Sequence, residues 1–179
     1  YIDPEAVPEF ATCEAAHALR SDPDFDAELA RLRSDPLVDY PGVAACKRRI
    51  FALLYEHFRE RHLTHNDEYA AEFQAFRQTN SPRLRQFATF EALRAHFGET
   101  GTDLSWRNWP EPFRDPGSQA IAEFVECNAD RIAYFEYLQW HAYRQLRACQ
   151  KTAREAGMPT GTYLDIAVGV DRDSAEAWW

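Results

Sequence analysis

Apolar residues recur at steps of three and four positions along most of the chain, which is the spacing of an amphipathic α-helix. One clear stripe follows Asp39, and others begin at Tyr69, Leu84 and Ile132. Their members are Val43, Cys46, Ile50, Leu54 and Phe58; Tyr69, Phe73 and Phe76; Leu84, Phe87, Phe90, Leu93 and Phe97; and Ile132, Phe135, Leu138, Ala142, Leu146, Cys149 and Ala153. Together with a shorter helix before them, the pattern predicts five or six helices.

Capping residues mark where these helices start and stop. Asp22-Pro23 and Asp39-Tyr40-Pro41 each combine an acceptor side chain with a first-turn proline, and both features favour a helix N-terminus. The longest helical pattern, over residues 118–156, is expected to break at Asn128, a good N-cap. The other predicted boundaries are Asn66, Ser81-Pro82, Gly98 and Gly157.

The two ends of the chain differ from this helical middle. The opening "YIDPEAVPEF" has two prolines and an alternating pattern, which predict an extended segment. The stretch "GMPTGTYLDIAVGV" predicts a helix cap, a turn and one near-continuous apolar strand over about residues 160–170. One parallel strand cannot form a sheet, so we expect a fragment of a larger protein with a doubly wound sheet or a barrel.

The predicted strand has two unlike faces, because side chains alternate along a strand. Leu164, Ile166 and Val168 would lie against a covering helix, and Asp165 would point the other way. In a (β/α)8 barrel that second face lines the interior. Asp165 would then contact a ligand hydroxyl or be held by an Arg or backbone N–H groups of a neighbouring strand. Both interpretations stay open.

The loop after the strand is the second place for candidate chemistry. Residues 171–174 read "DRDS" and follow the C-terminal end of the strand, where barrel loops build active sites. Asp171 and Ser174 are therefore candidate substrate-binding residues beside Asp165. A solvated loop is the alternative for the charged members.

Composition removes several classes of partner. The chain has 179 residues and a formal net charge of −9, and its basic residues form no block longer than Lys47-Arg48-Arg49. Nucleic acids and anionic membranes attract clustered Lys and Arg, so neither is an expected partner. Cys46 and Cys149 occupy apolar helical positions, which predicts buried thiols in a reducing cytoplasm rather than disulfides.

Four stretches resemble one enzyme family in sequence order. They are "YIDPEAVPEF", "SWRNWP", "YLQWHAYRQL" and "GMPTGTYLDIAVGVDRDSAEAW". They are similar to the amylomaltases, the 4-α-glucanotransferases of glycoside hydrolase family 77, in their longer bacterial form. Asp165 and "AVGV" match that pattern, whereas Thr160, Thr162 and Leu164 depart from it.

The resemblance implies a (β/α)8 barrel with large helical insertions, and an enzyme that passes α-1,4-glucan segments to a sugar 4-hydroxyl. Transfer with retention uses a nucleophilic carboxylate and an acid/base carboxylate about 5 to 5.5 Å apart. In the family these groups lie on later barrel strands. We therefore expect no catalytic residue in this chain, no metal and no cofactor, and an isolated fragment without activity. The implied partners are α-1,4-glucans and maltooligosaccharides, without an obligate protein partner.

The expected fold class is mainly α, a helical insertion flanked by pieces of a barrel, with one parallel strand near the C-terminus. Residues 1–21 would be an extended barrel-derived segment, and residues 22–117 the helical insertion with its Trp/Pro loop. Residues 118–179 would contain barrel-packing helices, the strand and its loop.

Two other functions remain possible interpretations of the residues. The helices could form a stand-alone binding or scaffolding domain, or His57, His62 and His65 could hold zinc, although a solvated helix end explains that spacing better. Trp106 and Trp109 could stack on sugar rings or pin the long loop onto the helices, and we favour the packing role.

Overall fold

The computed structural model describes residues 2–102, 104–163, 165 and 168–179. Of the described residues, 71% are helical and none belongs to a β-strand. The α-helices are α1 (Glu14–Arg20), α2 (Pro23–Ser34), α3 (Tyr40–Phe58), α4 (Glu68–Asn80), α5 (Arg83–Glu99), α6 (Gln119–Cys127), α7 (Ala129–Glu155) and α8 (Ala175–Trp178). Within the described ranges, no helix combines the length and the apolar character needed to cross a membrane.

The chain divides into two compact units, Tyr1–Glu72 and Phe73–Trp179, and the division falls within α4. It differs from the boundaries after residues 21 and 117 that the sequence predicts. The predicted boundaries lie between barrel segments and a helical insertion. Contacts within this chain do not test that division, so it stays a prediction.

The helix starts predicted at Asp22 and Asp39 in the first unit are confirmed. The Asp22 carboxylate accepts a 2.9 Å hydrogen bond from the Phe25 N–H, and α2 begins at the proline that follows. Asp39 does the same for the N–H of Gly42 at the start of α3. Each acidic side chain satisfies an N–H group that has no partner inside its helix.

The opening segment is helical where the sequence predicts extended backbone. Residues Pro8–Thr12 form a 3-10 turn and α1 follows directly, so the extended prediction is wrong for residues 8–20. Pro8 occupies the first position of its turn, where the fixed φ of proline favours a helical start. Val7 and Ala16 are buried, and this burial holds the helical turns in place.

The break between α6 and α7 lies at Asn128, as predicted, but its chemistry differs. The Asn128 side-chain amide donates to the Phe124 carbonyl at 2.9 Å and makes no capping bond to α7. Asn128 therefore closes α6. The predicted cap at Gly157 is confirmed by its φ of +82°, which follows the end of α7. Gly98, in contrast, lies inside α5, and the left-handed residue after that helix is Gly101.

In the first unit, α3 packs against α1 and α2. The predicted stripe of α3 is confirmed at Leu54 and Phe58, which are fully buried, and at Cys46 and Ile50. Phe25 of α2 fills the same interior. Burial of these apolar side chains is the main contribution to the stability of the unit.

In the second unit, α5 pairs with α7, and α6 and α8 complete the packing. Phe90 and Leu93 of α5 lie in one apolar core with Ile132 of α7. Residues outside the long helices also enter this core, and the largest of them are Trp109 and Trp178.

The C-terminal part of α7 is more exposed than its apolar stripe predicts. Leu146 is 46% exposed, and Cys149 is exposed, so the prediction of a buried Cys149 thiol is wrong. The reason is length, because α7 has 27 residues and its neighbour α5 has 17. At about 1.5 Å per residue, α7 is roughly 15 Å longer than α5.

A buried carboxylate joins α4, α5 and α7 inside the second unit. Glu136 of α7 has a side chain that is 3% exposed, and its carboxylate lies 2.6 Å from Arg77 Nε and 3.5 Å from Arg85 Nη1. Burial of a charge is unfavourable unless it is paired, so the two arginines are required for this packing.

We expect Arg77→Met to lower the free energy of unfolding by about 3 kcal/mol, since it removes the near partner of a buried carboxylate. The control is Arg131→Met. Arg131 and Arg77 are similarly exposed, at 32% and 30%, but Arg131 pairs with Glu99, which is 62% exposed. That control should cost less than about 1 kcal/mol. Equal losses in urea titrations of the two variants would contradict the prediction.

Candidate functional site

The candidate substrate residues at the end of the chain lie in a tight turn. Asp171 Oδ1 accepts from the Asp173 N–H at 2.9 Å, and the Asp171 carbonyl accepts from the Ser174 N–H at 3.0 Å. This turn leads into α8. Residues 171–179 are called the C-terminal segment below. Local hydrogen bonds of this kind fix the shape of the turn, and they leave its location to other contacts.

Those contacts come from residues 105–113, called the tryptophan loop below. Ser105 Oγ donates to Asp173 Oδ1 at 2.6 Å, and Arg107 Nη2 lies 3.2 Å from the same oxygen. Trp106 Nε1 donates to the Arg172 carbonyl at 2.9 Å. Three consecutive loop residues therefore bind two consecutive residues of the C-terminal segment.

Two buried indoles, Trp109 and Trp178, also hold the tryptophan loop and the C-terminal segment together. Trp178 is 3% exposed, and its ring centroid lies 5.6 Å from that of Phe90 and 6.1 Å from that of Trp109. Its Nε1 donates to the Phe113 carbonyl at 3.0 Å. Trp109 is fully buried, so it packs in the core and presents no face to a sugar. The packing role predicted for Trp109 is confirmed.

The three candidate substrate residues differ in their surroundings. Asp165 and Asp171 are exposed, and Ser174 is half-buried. The Ser174 hydroxyl oxygen is buried and has no hydrogen-bond partner among the described residues. Asp171 and Ser174 share one turn, and Asp165 belongs to the stretch in which the strand is predicted.

That strand is not formed by the described part of residues 160–170, which consists of turns, bends and irregular backbone. Leu164, Ile166 and Ala167 lie outside the described residues. A β-strand requires a neighbouring strand for its hydrogen bonds, and the described residues provide none. The strand and the inward orientation of Asp165 therefore stay predictions.

The turn that leads into this stretch is fixed by Gln150 of α7, a residue that sequence reasoning missed. Gln150 Oε1 accepts from the Thr162 N–H at 2.6 Å and also from the Thr162 hydroxyl. Gly161 has a φ of +72°, and a Cβ there would overlap the Gln150 amide. The sequence signal for this turn is Gly161 followed by Thr162, because glycine permits the left-handed conformation that the turn requires.

Comparison with known proteins identifies the family. The family model described as 4-alpha-glucanotransferase, glycoside hydrolase family 77, matches residues 1–179. This chain belongs to that family. Its resemblance to the family, drawn from four stretches of sequence, is thereby confirmed.

Individual members of the family match different lengths of the chain. The 4-alpha-glucanotransferase of Haemophilus influenzae is 26% identical over 99% of this chain and 26% of its own length. That of Thermus thermophilus is 31% identical over 79% of the chain and 26% of its own length. That of Mycobacterium tuberculosis is 37% identical over 59% of the chain and 14% of its own length. The chain spans about a quarter, or less, of these relatives.

The first unit of this family member contains a cavity of about 250 Å³. Phe25, Cys46 and Ile50 form part of its lining, and burial raises the pKa of the Cys46 thiol. Two of the cations in its lining are bonded within the unit: Arg20 pairs with Glu5 and Asp26, and Lys47 donates to the Ile2 carbonyl at 2.8 Å.

The three histidines considered as metal ligands have separate partners. His57 Nε2 is hydrogen bonded to Thr12 Oγ1, and burial, with Arg61 nearby, lowers the pKa of His57. His62 Nδ1 donates to Asp67 at 2.6 Å, and His65 Nδ1 donates to a backbone carbonyl. Over the described ranges, no three His, Cys, Asp or Glu side chains are placed to hold a metal ion.

We expect Trp178→Phe to lower the free energy of unfolding by about 1 to 3 kcal/mol, since it removes a buried donor and some packing. Trp179→Phe is the matched control, because Trp179 is the next residue in sequence and is 48% exposed. It should change stability by less than about 0.5 kcal/mol. Urea unfolding of both variants tests this, and a loss as large for Trp179 as for Trp178 would refute it.

Proposed function

We propose that this chain is part of an enzyme that transfers an α-1,4-glucan segment to the 4-hydroxyl of a second sugar. The observation that carries the proposal is the family match along residues 1–179. The chain's role would be to form part of the wall of the glucan cleft and to supply contacts to the sugar.

The proposed reaction is a double displacement with retention. A carboxylic acid protonates the glycosidic oxygen as a carboxylate attacks the anomeric carbon, which forms a glycosyl-enzyme ester and releases the shortened glucan. The acceptor 4-hydroxyl then attacks the same carbon, loses its proton to the residue that acted as acid, and frees the nucleophile. We place both carboxylates outside these 179 residues. In this proposal the chain contains no catalytic residue.

The proposed architecture is a (β/α)8 barrel with a helical insertion, in which residues 160–170 form one parallel strand. Exposed apolar side chains support this. Tyr163 is 88% exposed, Val168 is fully exposed and Val170 is 61% exposed. Large apolar side chains that are exposed close together in sequence are typical of an interface. The exposed end of α7, at Leu146, supports the same proposal.

Asp171, Ser174 and Asp165 are the proposed contacts to α-glucan. A glucose ring carries hydroxyl groups that donate and accept, and an ionised carboxylate is a strong acceptor for them. Asp171 uses Oδ1 inside its own turn. Its Oδ2 is assigned to the ligand. The Ser174 hydroxyl, which is buried, would reach the ligand after its side chain rotates outward.

We also propose a cytoplasmic location. All four cysteines, Cys13, Cys46, Cys127 and Cys149, are free thiols, although two of them are exposed. Free thiols on a surface are typical of proteins in a reducing compartment.

The first test compares the intact protein that contains this chain with residues 1–179 alone. We expect the intact protein to convert maltotriose into glucose and longer maltooligosaccharides, and the isolated chain to release no glucose. The measurement is enzymatic glucose detection with chromatography of the products. An inactive intact protein would refute the proposed reaction, and glucose release by the isolated chain would refute the placement of the carboxylates.

The second test concerns the proposed sugar contacts in the intact protein. Asp171→Asn and Ser174→Ala should each lower kcat/KM for maltotriose by about tenfold, the loss of one hydrogen bond to the ligand. Glu126→Gln is the control, since Glu126 is an exposed carboxylate on α6. Steady-state kinetics decide the matter. Wild-type kcat/KM in both site variants would remove these residues from the proposed site.

A further inference from the structure

We infer that Asp173 is a positioning residue of the proposed glucan site, and that Ser105 and Arg107 act on the sugar contacts through it. The inference rests on the proposed function, because it concerns the location of Asp171 and Ser174. Asp173 lies between these two residues in sequence, and its carboxylate points to the tryptophan loop instead of a ligand.

The contacts of Asp173 carry the first step. Its Oδ1 accepts from Ser105 Oγ at 2.6 Å, and Arg107 Nη2 lies 3.2 Å from Oδ1 and 3.4 Å from Oδ2. Both oxygens therefore already have donors within the second unit. A sugar hydroxyl would have to displace a charge-assisted hydrogen bond to reach them.

The second step links this carboxylate to the proposed sugar contacts. The Asp173 backbone N–H donates to Asp171 Oδ1 and so orients the Asp171 carboxylate. The Ser174 N–H closes the same turn on the Asp171 carbonyl. Movement of Asp173 would therefore displace Asp171 and Ser174 together. Precise placement of binding groups depends on supporting hydrogen bonds of this type.

The third step separates positioning from stability. Trp178, four residues after Ser174, is held independently by burial against Phe90 and by its bond to the Phe113 carbonyl. The Arg107 and Asp173 side chains are 46% and 44% exposed. Exposed ion pairs contribute little to stability. Loss of the pair should change the turn and leave the core intact.

The experiment uses the intact protein with Arg107→Met and Asp173→Asn, singly and together. We expect each single variant to raise KM for maltotriose by roughly three- to tenfold, with kcat within about twofold of wild type and Tm unchanged. Because the two substitutions remove the same ion pair, the KM of the double variant should be no higher than that of the stronger single variant. The amides of Asp173 and Ser174 should exchange hydrogen faster in the variants.

Arg94→Met is the matched control. Arg94 is also 46% exposed and pairs with a carboxylate, Glu91, on the same helix. It should keep the wild-type KM and the wild-type exchange at residues 173 and 174.

The outcomes separate the inference from the proposed function. An active wild type whose Arg107 and Asp173 variants keep its KM would overturn the positioning role alone. An equal rise of KM in Arg94→Met would also overturn it, as would unchanged amide exchange. A wild-type protein without transfer activity would refute the proposed function, and this role with it.

Discussion

The burial of Trp109 and Trp178 against Phe90 is the interaction on which the candidate site depends. A loop and a short terminal helix have few backbone hydrogen bonds of their own, so something else must hold them on α5. Each buried aromatic side chain removes on the order of 150–250 Å² from water, and this is the largest contribution either segment can make. With the indoles in place, Ser105 and Asp173 are brought within hydrogen-bond distance although 68 positions separate them in sequence.

The second unit uses its charges in two different ways. Glu136 is almost fully buried between arginines, so its pairing is part of the core and is costly to break. Asp173 and Arg107 are half-exposed, so their pairing has little effect on stability and can instead determine orientation. A carboxylate paired with a guanidinium group therefore supports packing in one place and geometry in the other, and burial makes the difference.

The sequence predicts local structure well because its causes are local. Asp22 and Asp39 cap the helices that they precede, and a stripe such as Leu54 and Phe58 buries the face that its spacing indicates. The prediction that Cys149 is buried fails, because burial at this position depends on how far α5 extends beside α7. The spacing of residues within α7 does not encode that length. The bonds of Asp173 could not be predicted for the same reason, since they arise from folding of the tryptophan loop onto the C-terminal segment.

The predicted strand shows where local reasoning ends. A helix can satisfy its backbone within one segment, whereas a strand needs a partner for every N–H and C=O along its edge. Gln150 provides part of this by accepting the Thr162 N–H, and Gly161 permits the close approach. The start of the stretch is thus held by α7, while the alternation that assigns Asp165 to one face has meaning only beside a second strand. The match to this chain covers 26% of the relatives from Haemophilus influenzae and Thermus thermophilus, so a partner strand would belong to the part of the family's sequence that this chain does not cover.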